Sequence, residues 1–249
     1  MRARHPAFAR PDRSAGEGGV RLRALVAGVF ALLAGAAPTQ TQAQTHVHPR
    51  CTAADCVNLV FDGDSISAGW GSTPGHGLDA QVVARVGEPV VVHNVAVGGR
   101  PVLQCLQLYP KLVAPLFDPA TPHNVIVFHA GDNDIAQGRD AQQTYAAFTG
   151  YVAAAHEQGW KIVVSTELRR FDFAPPQFDE LENYNRLLRE NKAGADAVVD
   201  LNQDVMLAEA SHRNDRSLFS PDRVHPADAG YRLIAALLAP AVRRVAGRP

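Results

Sequence analysis

Val57-Asn58-Leu59-Val60-Phe61-Asp62-Gly63-Asp64-Ser65 is an apolar run that ends in a glycine-containing turn. Its apolar residues are mostly continuous rather than alternating, as a strand buried on both faces requires. Four runs of the same kind follow, Val90 to Val97, Val125 to His129, Ile162 to Thr166 and Ala197 to Leu201. The stretches between them have helical spacing. Tyr145, Phe148 and Val152 share one face, as do Leu181, Tyr184, Leu187 and Leu188. A last helix carries Tyr231, Ile234, Leu237, Leu238 and Val242, with a bend expected at Pro240. Strand and helix alternating in this way predict an α/β fold with a doubly wound parallel sheet. In such sheets the ligand site lies beyond the carboxyl ends of the strands. Phe171 to Gln177 reads as a surface loop able to line a cleft there.

The chain has 249 residues, 46% of them hydrophobic, enough for one sizeable domain, placed here at 57–249. A formal net charge of -1 and the lack of a basic block interleaved with aromatics exclude a nucleic-acid partner on electrostatic grounds. The N-terminus reads differently. Arg21 and Arg23 precede an apolar run from Ala24 to Ala37, and a polar, small-residue stretch from Pro38 to Gln44 follows. That order is expected of a secretory signal peptide, assigned to residues 1–43, with cleavage after Ala43 or within Gly35-Ala36-Ala37. The long basic lead-in leaves room for a translation start nearer Val20, and an uncleaved anchor is the rival reading. The mature protein is expected to be exported, periplasmic or secreted, monomeric, and without a stable membrane span. Residues 44–56 form an N-terminal extension in which Cys51 and Cys56 are close enough for a small disulfide loop. Two free thiols are the alternative. Cys105, within an apolar segment, reads as a packing residue, and three cysteines without clustered histidines make no zinc site.

Four blocks carry the chemistry. Ser65, at the end of the first strand, is exposed where its own N–H can point at a reacting carbonyl oxygen; it needs a base to become a nucleophile. In Asp222-Arg223-Val224-His225, a carboxylate three residues before a histidine can accept from Nδ1–H and leave Nε2 facing the serine. Asn94-Val95-Ala96-Val97-Gly98-Gly99 ends a strand in paired glycines, where bare backbone approaches a substrate closely. Asn133, in Gly131-Asp132-Asn133-Asp134, offers a side-chain amide. Taken singly, each block also reads as a turn, a cap or a surface histidine. Together they supply nucleophile, base, orienting carboxylate and oxyanion donors.

In this order the blocks resemble those of the SGNH hydrolases, also called the GDSL esterase/lipase family, over residues 57 to 245. The resemblance implies a three-layer α/β/α fold with a five-stranded, flavodoxin-like parallel sheet. It implies Ser65 as nucleophile, His225 as base, Asp222 as its orienter, and an oxyanion hole from Ser65, Gly99 and Asn133. No metal or organic cofactor is implied. The chain departs from the family pattern at Arg100-Pro101, where relatives often carry a small hydroxyl residue, and at Asp132, where a neutral residue is common. Arg100 is read here as solvated, an anionic substrate being the alternative.

The expected substrate is a small-molecule or carbohydrate ester, acetyl or short acyl. Lysophospholipase or thioesterase activity is the alternative within the family. Val60 to Ile66 also resembles the first motif of haloacid-dehalogenase-type phosphatases, with Asp62 and Asp64 beside Mg²⁺, but no convincing lysine or late acidic pair follows. A non-catalytic carbohydrate-binding protein is the remaining class, which has no physical need of an Asp-x-x-His pair. Trp70, Phe171 and Phe173 near the loops read as packing rather than pocket lining.

Overall fold

The computed structural model describes residues 55–87 and 89–248. The leader assigned to 1–43, most of the extension, and Cys51 lie outside the described residues. Five parallel strands form one sheet: β1 (Val57–Gly63), β2 (Val90–Asn94), β3 (His123–His129), β4 (Lys161–Ser165) and β5 (Ala197–Val199), in the order β2-β1-β3-β4-β5. The longer helices are α1 (Leu78–Val86), α2 (Val102–Leu112), α4 (Ala141–Gln158), α5 (Pro175–Glu190) and α7 (Asp228–Val245). Two short ones, α3 (Asp132–Ala136) and α6 (Val205–Ala208), follow β3 and β5.

Alternate strand residues feed two separate cores. Leu59 and Phe61 of β1, Val125 and Val127 of β3, and Val163 of β4 pack toward α1 and α7. Val60, Ile126, Phe128, Ile162 and Val164 face α2, α4 and α5 on the other side. Both faces are therefore apolar, and this is why the strands read as continuous hydrophobic runs. Each such side chain contributes about 1.5–3 kcal/mol relative to exposure.

The chain reverses its direction of winding between β1 and β3, the switch point at which open α/β sheets form their ligand crevice. The loops leaving β1, β2 and β3 all end at this crevice. Three expectations change in detail, the first being that the fifth strand stops at Val199, two residues early. The second strand stops at Asn94, three residues early, because Val95 to Arg100 turn across the end of β1: Val95 N–H donates to Phe61 O (2.9 Å) and Val97 N–H to Gly63 O (3.1 Å). The loop expected over 171–177 is shorter, since Pro175 and Pro176 open α5, where a missing N–H costs nothing. α7 continues through Pro240, which lies on its exposed face. Among the described residues, no helix is long and apolar enough to cross a membrane.

Candidate active site

The chain leaves β1 through Gly63, whose φ of +135° and surroundings admit only glycine: a Cβ there would fall 1.9 Å from His129 O. Asp64 N–H then donates to that same carbonyl (3.1 Å), and the Asp64 carboxylate takes the Ile66 N–H (2.9 Å). This tight turn delivers Ser65 to the crevice.

His225 arrives from a loop 160 residues away. An isolated antiparallel bridge between Phe219 and Pro226 closes that loop, with Ser220 N–H donating to His225 O (2.8 Å). Arg223, at its tip, takes a left-handed φ of +60°. The turn wraps round the Asp222 carboxylate: Oδ1 accepts from Ser220 Oγ (2.6 Å), Val224 N–H (2.9 Å) and His225 N–H (3.0 Å). Its Oδ2 lies 2.6 Å from His225 Nδ1. Partial burial pushes this carboxyl up, but the bonds from His225, Ser220 and the backbone outweigh it and hold Asp222 well below the usual carboxylate range. An ionised carboxylate only accepts, so the imidazole proton sits on Nδ1 and Nε2 is left as acceptor. Nε2 is 2.8 Å from Ser65 Oγ.

Two further segments border the serine turn. Gly99 has a φ of +77° with open space about it, so conformation rather than room demands glycine. The N–H groups of Ser65 and Gly99 donate to no other described residue. Asn133, in the first turn of α3, directs Nδ2 toward Asp64 Oδ2 at 3.5 Å, which sets its amide beside the serine turn. α3 can start there because Gly131 passes flush against the Tyr184 ring, where a Cβ would meet Cε1 at 2.1 Å. Ser65, His225 and Asp222 are thus joined by hydrogen bonds, Asn133 lies beside the serine turn, and Gly99 lies in the turn that crosses the end of β1.

Other residues of the site were read differently or missed. Arg100 is buried, 3% exposed, and not solvated. Its guanidinium is ion-paired with Asp62 and donates to Gly63 O (3.2 Å) and Val95 O (2.9 Å), pinning the Val95–Arg100 turn to the end of β1. Tyr151 Oη–H donates to the other Asp62 oxygen (2.7 Å). Asp62 is therefore committed on both oxygens and sealed from solvent, so it is in no position to attack phosphorus. An acid inside the end of an apolar strand, with an arginine in the loop after the neighbouring one, was the available signal. Asp132, the second departure, is buried and paired with Arg170 (2.6 Å).

Beneath the serine turn, Asp64, His129 and Glu167 each bring a ligand-type atom within 4.8 Å of the others, all buried. Burial and the adjacent Asp132 push the Asp64 carboxyl well up; burial and Asp64 do the same to Glu167. Burial lowers His129 to about 4. Ser165 Oγ lies 2.8 Å from His129 Nδ1 and Glu167 Oε2 lies 3.2 Å from His129 Nε2, while that nitrogen and both Glu167 oxygens make no hydrogen bond among the described residues.

The GDSL-like lipase/acylhydrolase family model matches residues 61–233. The chain belongs to that family. As a GDSL hydrolase it acts on carboxylic esters. Solved structures share the fold. TesA superposes with a TM-score of 0.61 at 19% identity, covering 76% of this chain and 99% of its own. The acetyl xylan esterase AlAXEase gives 0.60 at 20%, covering 75% and 100%. A lipolytic G-D-S-L family protein from Veillonella parvula gives 0.59 at 23%, covering 78% and 100%. No curated protein matches the chain.

Proposed function

We propose that this GDSL hydrolase is an exported serine esterase that removes acetyl or short acyl groups from small or carbohydrate alcohols through an acyl-enzyme. The observation that carries the reading is the unbroken series from Asp222 Oδ2 through His225 to Ser65 Oγ, at 2.6 and 2.8 Å. Ser65 Oγ attacks the ester carbonyl as His225 Nε2 takes its proton, and Asp222 steadies the imidazolium. The new oxyanion is held by the N–H groups of Ser65 and Gly99 and the amide of Asn133. His225 then gives its proton to the leaving alcohol as the carbon–oxygen bond breaks. Water, deprotonated by the same nitrogen, attacks the acyl-serine, and Ser65 recovers its proton as the acid departs.

An acetyl xylan esterase among the structural neighbours makes a short acyl group on a carbohydrate the first substrate to try. Turnover of p-nitrophenyl esters of increasing chain length tests the acyl preference; a maximum at long chains would favour a lysophospholipase or thioesterase. Stoichiometric labelling by an organophosphonate, absent in Ser65→Ala, tests the nucleophile. Retention of turnover in Ser65→Ala would sink the mechanism. Fusion of residues 1–43 to a reporter active only after export tests the leader, and sedimentation tests the monomer.

A further inference from the structure

Trp70 stands five residues after Ser65, and its side chain is 46% exposed. Its backbone and its ring are both held in place. Its backbone N–H donates to Ser65 O (2.9 Å), and its backbone carbonyl accepts from Tyr231 Oη–H (2.7 Å). The next residue, Gly71, packs bare backbone against the histidine loop, where a Cβ would fall 2.5 Å from Pro226 O. The indole itself lies over Gly98 of the oxyanion loop; a Cβ on Gly98 would meet ring atom Cζ2 at 2.6 Å. Its centroid is 5.6 Å from the His225 ring, at 42°. Val97, beside Gly98, is 41% exposed. A rigid apolar surface therefore lines the mouth of the crevice next to the histidine and stays open to water on its outer side.

Position relative to His225 decides which part of a substrate meets this surface. The imidazole must reach the leaving-group oxygen to protonate it, so the alcohol lies on the histidine side of the carbonyl. The openness of the surface decides the kind of alcohol. A surface open on its outer side covers only one face of an alcohol, so an alkyl or lipid alcohol bound there keeps its remaining apolar area in water. A sugar ring differs, having a C–H face that stacks on an aromatic ring while its hydroxyls remain hydrated. We propose that Trp70 is the platform for the alcohol half of the substrate, and that this alcohol is a pyranose ring stacked by its C–H face on the indole. The proposal rests on the esterase reading above and names the alcohol that reading leaves open.

Matched acetyl esters test it: methyl 2-O-acetyl-β-xylopyranoside, cyclohexyl acetate and ethyl acetate, with wild type, Trp70→Phe and Trp70→Ala. Burying one indole face against a ring is worth about a factor of ten. The ratio of kcat/KM for the pyranoside to that for ethyl acetate should fall about tenfold in Trp70→Ala and be largely kept in Trp70→Phe. An unchanged ratio in Trp70→Ala overturns the platform. So does a larger loss for cyclohexyl acetate than for the pyranoside, which would mark an apolar pocket. Labelling of Ser65 by an organophosphonate separates the two levels. Labelled protein with an unchanged ratio loses only the platform, whereas wild-type protein that neither labels nor turns over any ester loses the esterase reading and the platform with it.

Discussion

Arg100→Met is the most demanding perturbation of the architecture beneath the oxyanion loop. Arginine and methionine have similar reach, so the change removes the charge and its donors with little loss of volume. Three contacts disappear: the ion pair with Asp62 and the bonds to Gly63 O and Val95 O. The Asp62 carboxylate, 1% exposed, is left without a cation, and breaking a buried pair on one side costs about 3–5 kcal/mol. The loss depends on pH. Burial pushes the Asp62 carboxyl up even beside Arg100, and without the guanidinium nothing offsets that burial except Tyr151 and the Gly63 N–H. A carboxyl raised in the folded state binds a proton that the unfolded chain has released, so stability falls as pH rises above the ordinary aspartate value of 3.8. Guanidinium unfolding of the variant should therefore show a midpoint lowered by about 1 M near pH 8 and by less near pH 5. Adding Asp62→Leu removes the stranded charge and should recover much of the loss. It leaves the Tyr151 hydroxyl without its acceptor, which keeps the double variant about 1–3 kcal/mol below wild type. Turnover should stay reduced in the double variant, by no more than the about 10²–10³ that losing one oxyanion donor costs, because the loop remains unpinned. A single variant with an unchanged midpoint at both pH values would mean that Arg100 is solvated after all, and the reasoning would fail.

Asn133→Ala should lower kcat by about 10²–10³, leaving KM for p-nitrophenyl acetate within a few-fold, if its amide acts on the transition state. Equal changes in KM alone would assign it to ground-state binding. Glu167→Gln copies the shape of the protonated acid, so the variant should fold at neutral pH. Wild type loses stability as pH rises through the raised carboxyl pKa and the variant does not, so their unfolding curves should diverge between pH 5 and 8; parallel curves would refute a neutral Glu167. Gly63→Ala should fail to give a folded, labelled enzyme, since the methyl would overlap His129 O at 1.9 Å in a left-handed backbone; normal circular dichroism with normal labelling would refute it.

Local chemistry accounts for most of what the chain disclosed before folding. A parallel sheet buried on both faces must be built from continuous apolar runs, so Val57 to Phe61 and Val125 to His129 were visible as strands. Turns that need a left-handed residue or a flush backbone favour glycine, so Gly63 and Gly131 marked the ends of β1 and β3. Asp222 and His225, three residues apart, contact one another through a single turn and could be paired by spacing alone. Contacts made at long range have no such signature. The 2.8 Å approach of His225 to Ser65 spans 160 residues and depends on how α7 docks on the sheet. Arg100 looked like a surface cation because its partner, Asp62, belongs to a neighbouring strand 38 residues earlier. Trp70 looked like packing because its exposure is settled by Gly98 beneath it and the histidine loop beside it. Backbone preference is written residue by residue, whereas burial and pairing belong to whichever segments the folded chain brings together, and only the assembled tertiary structure holds that information.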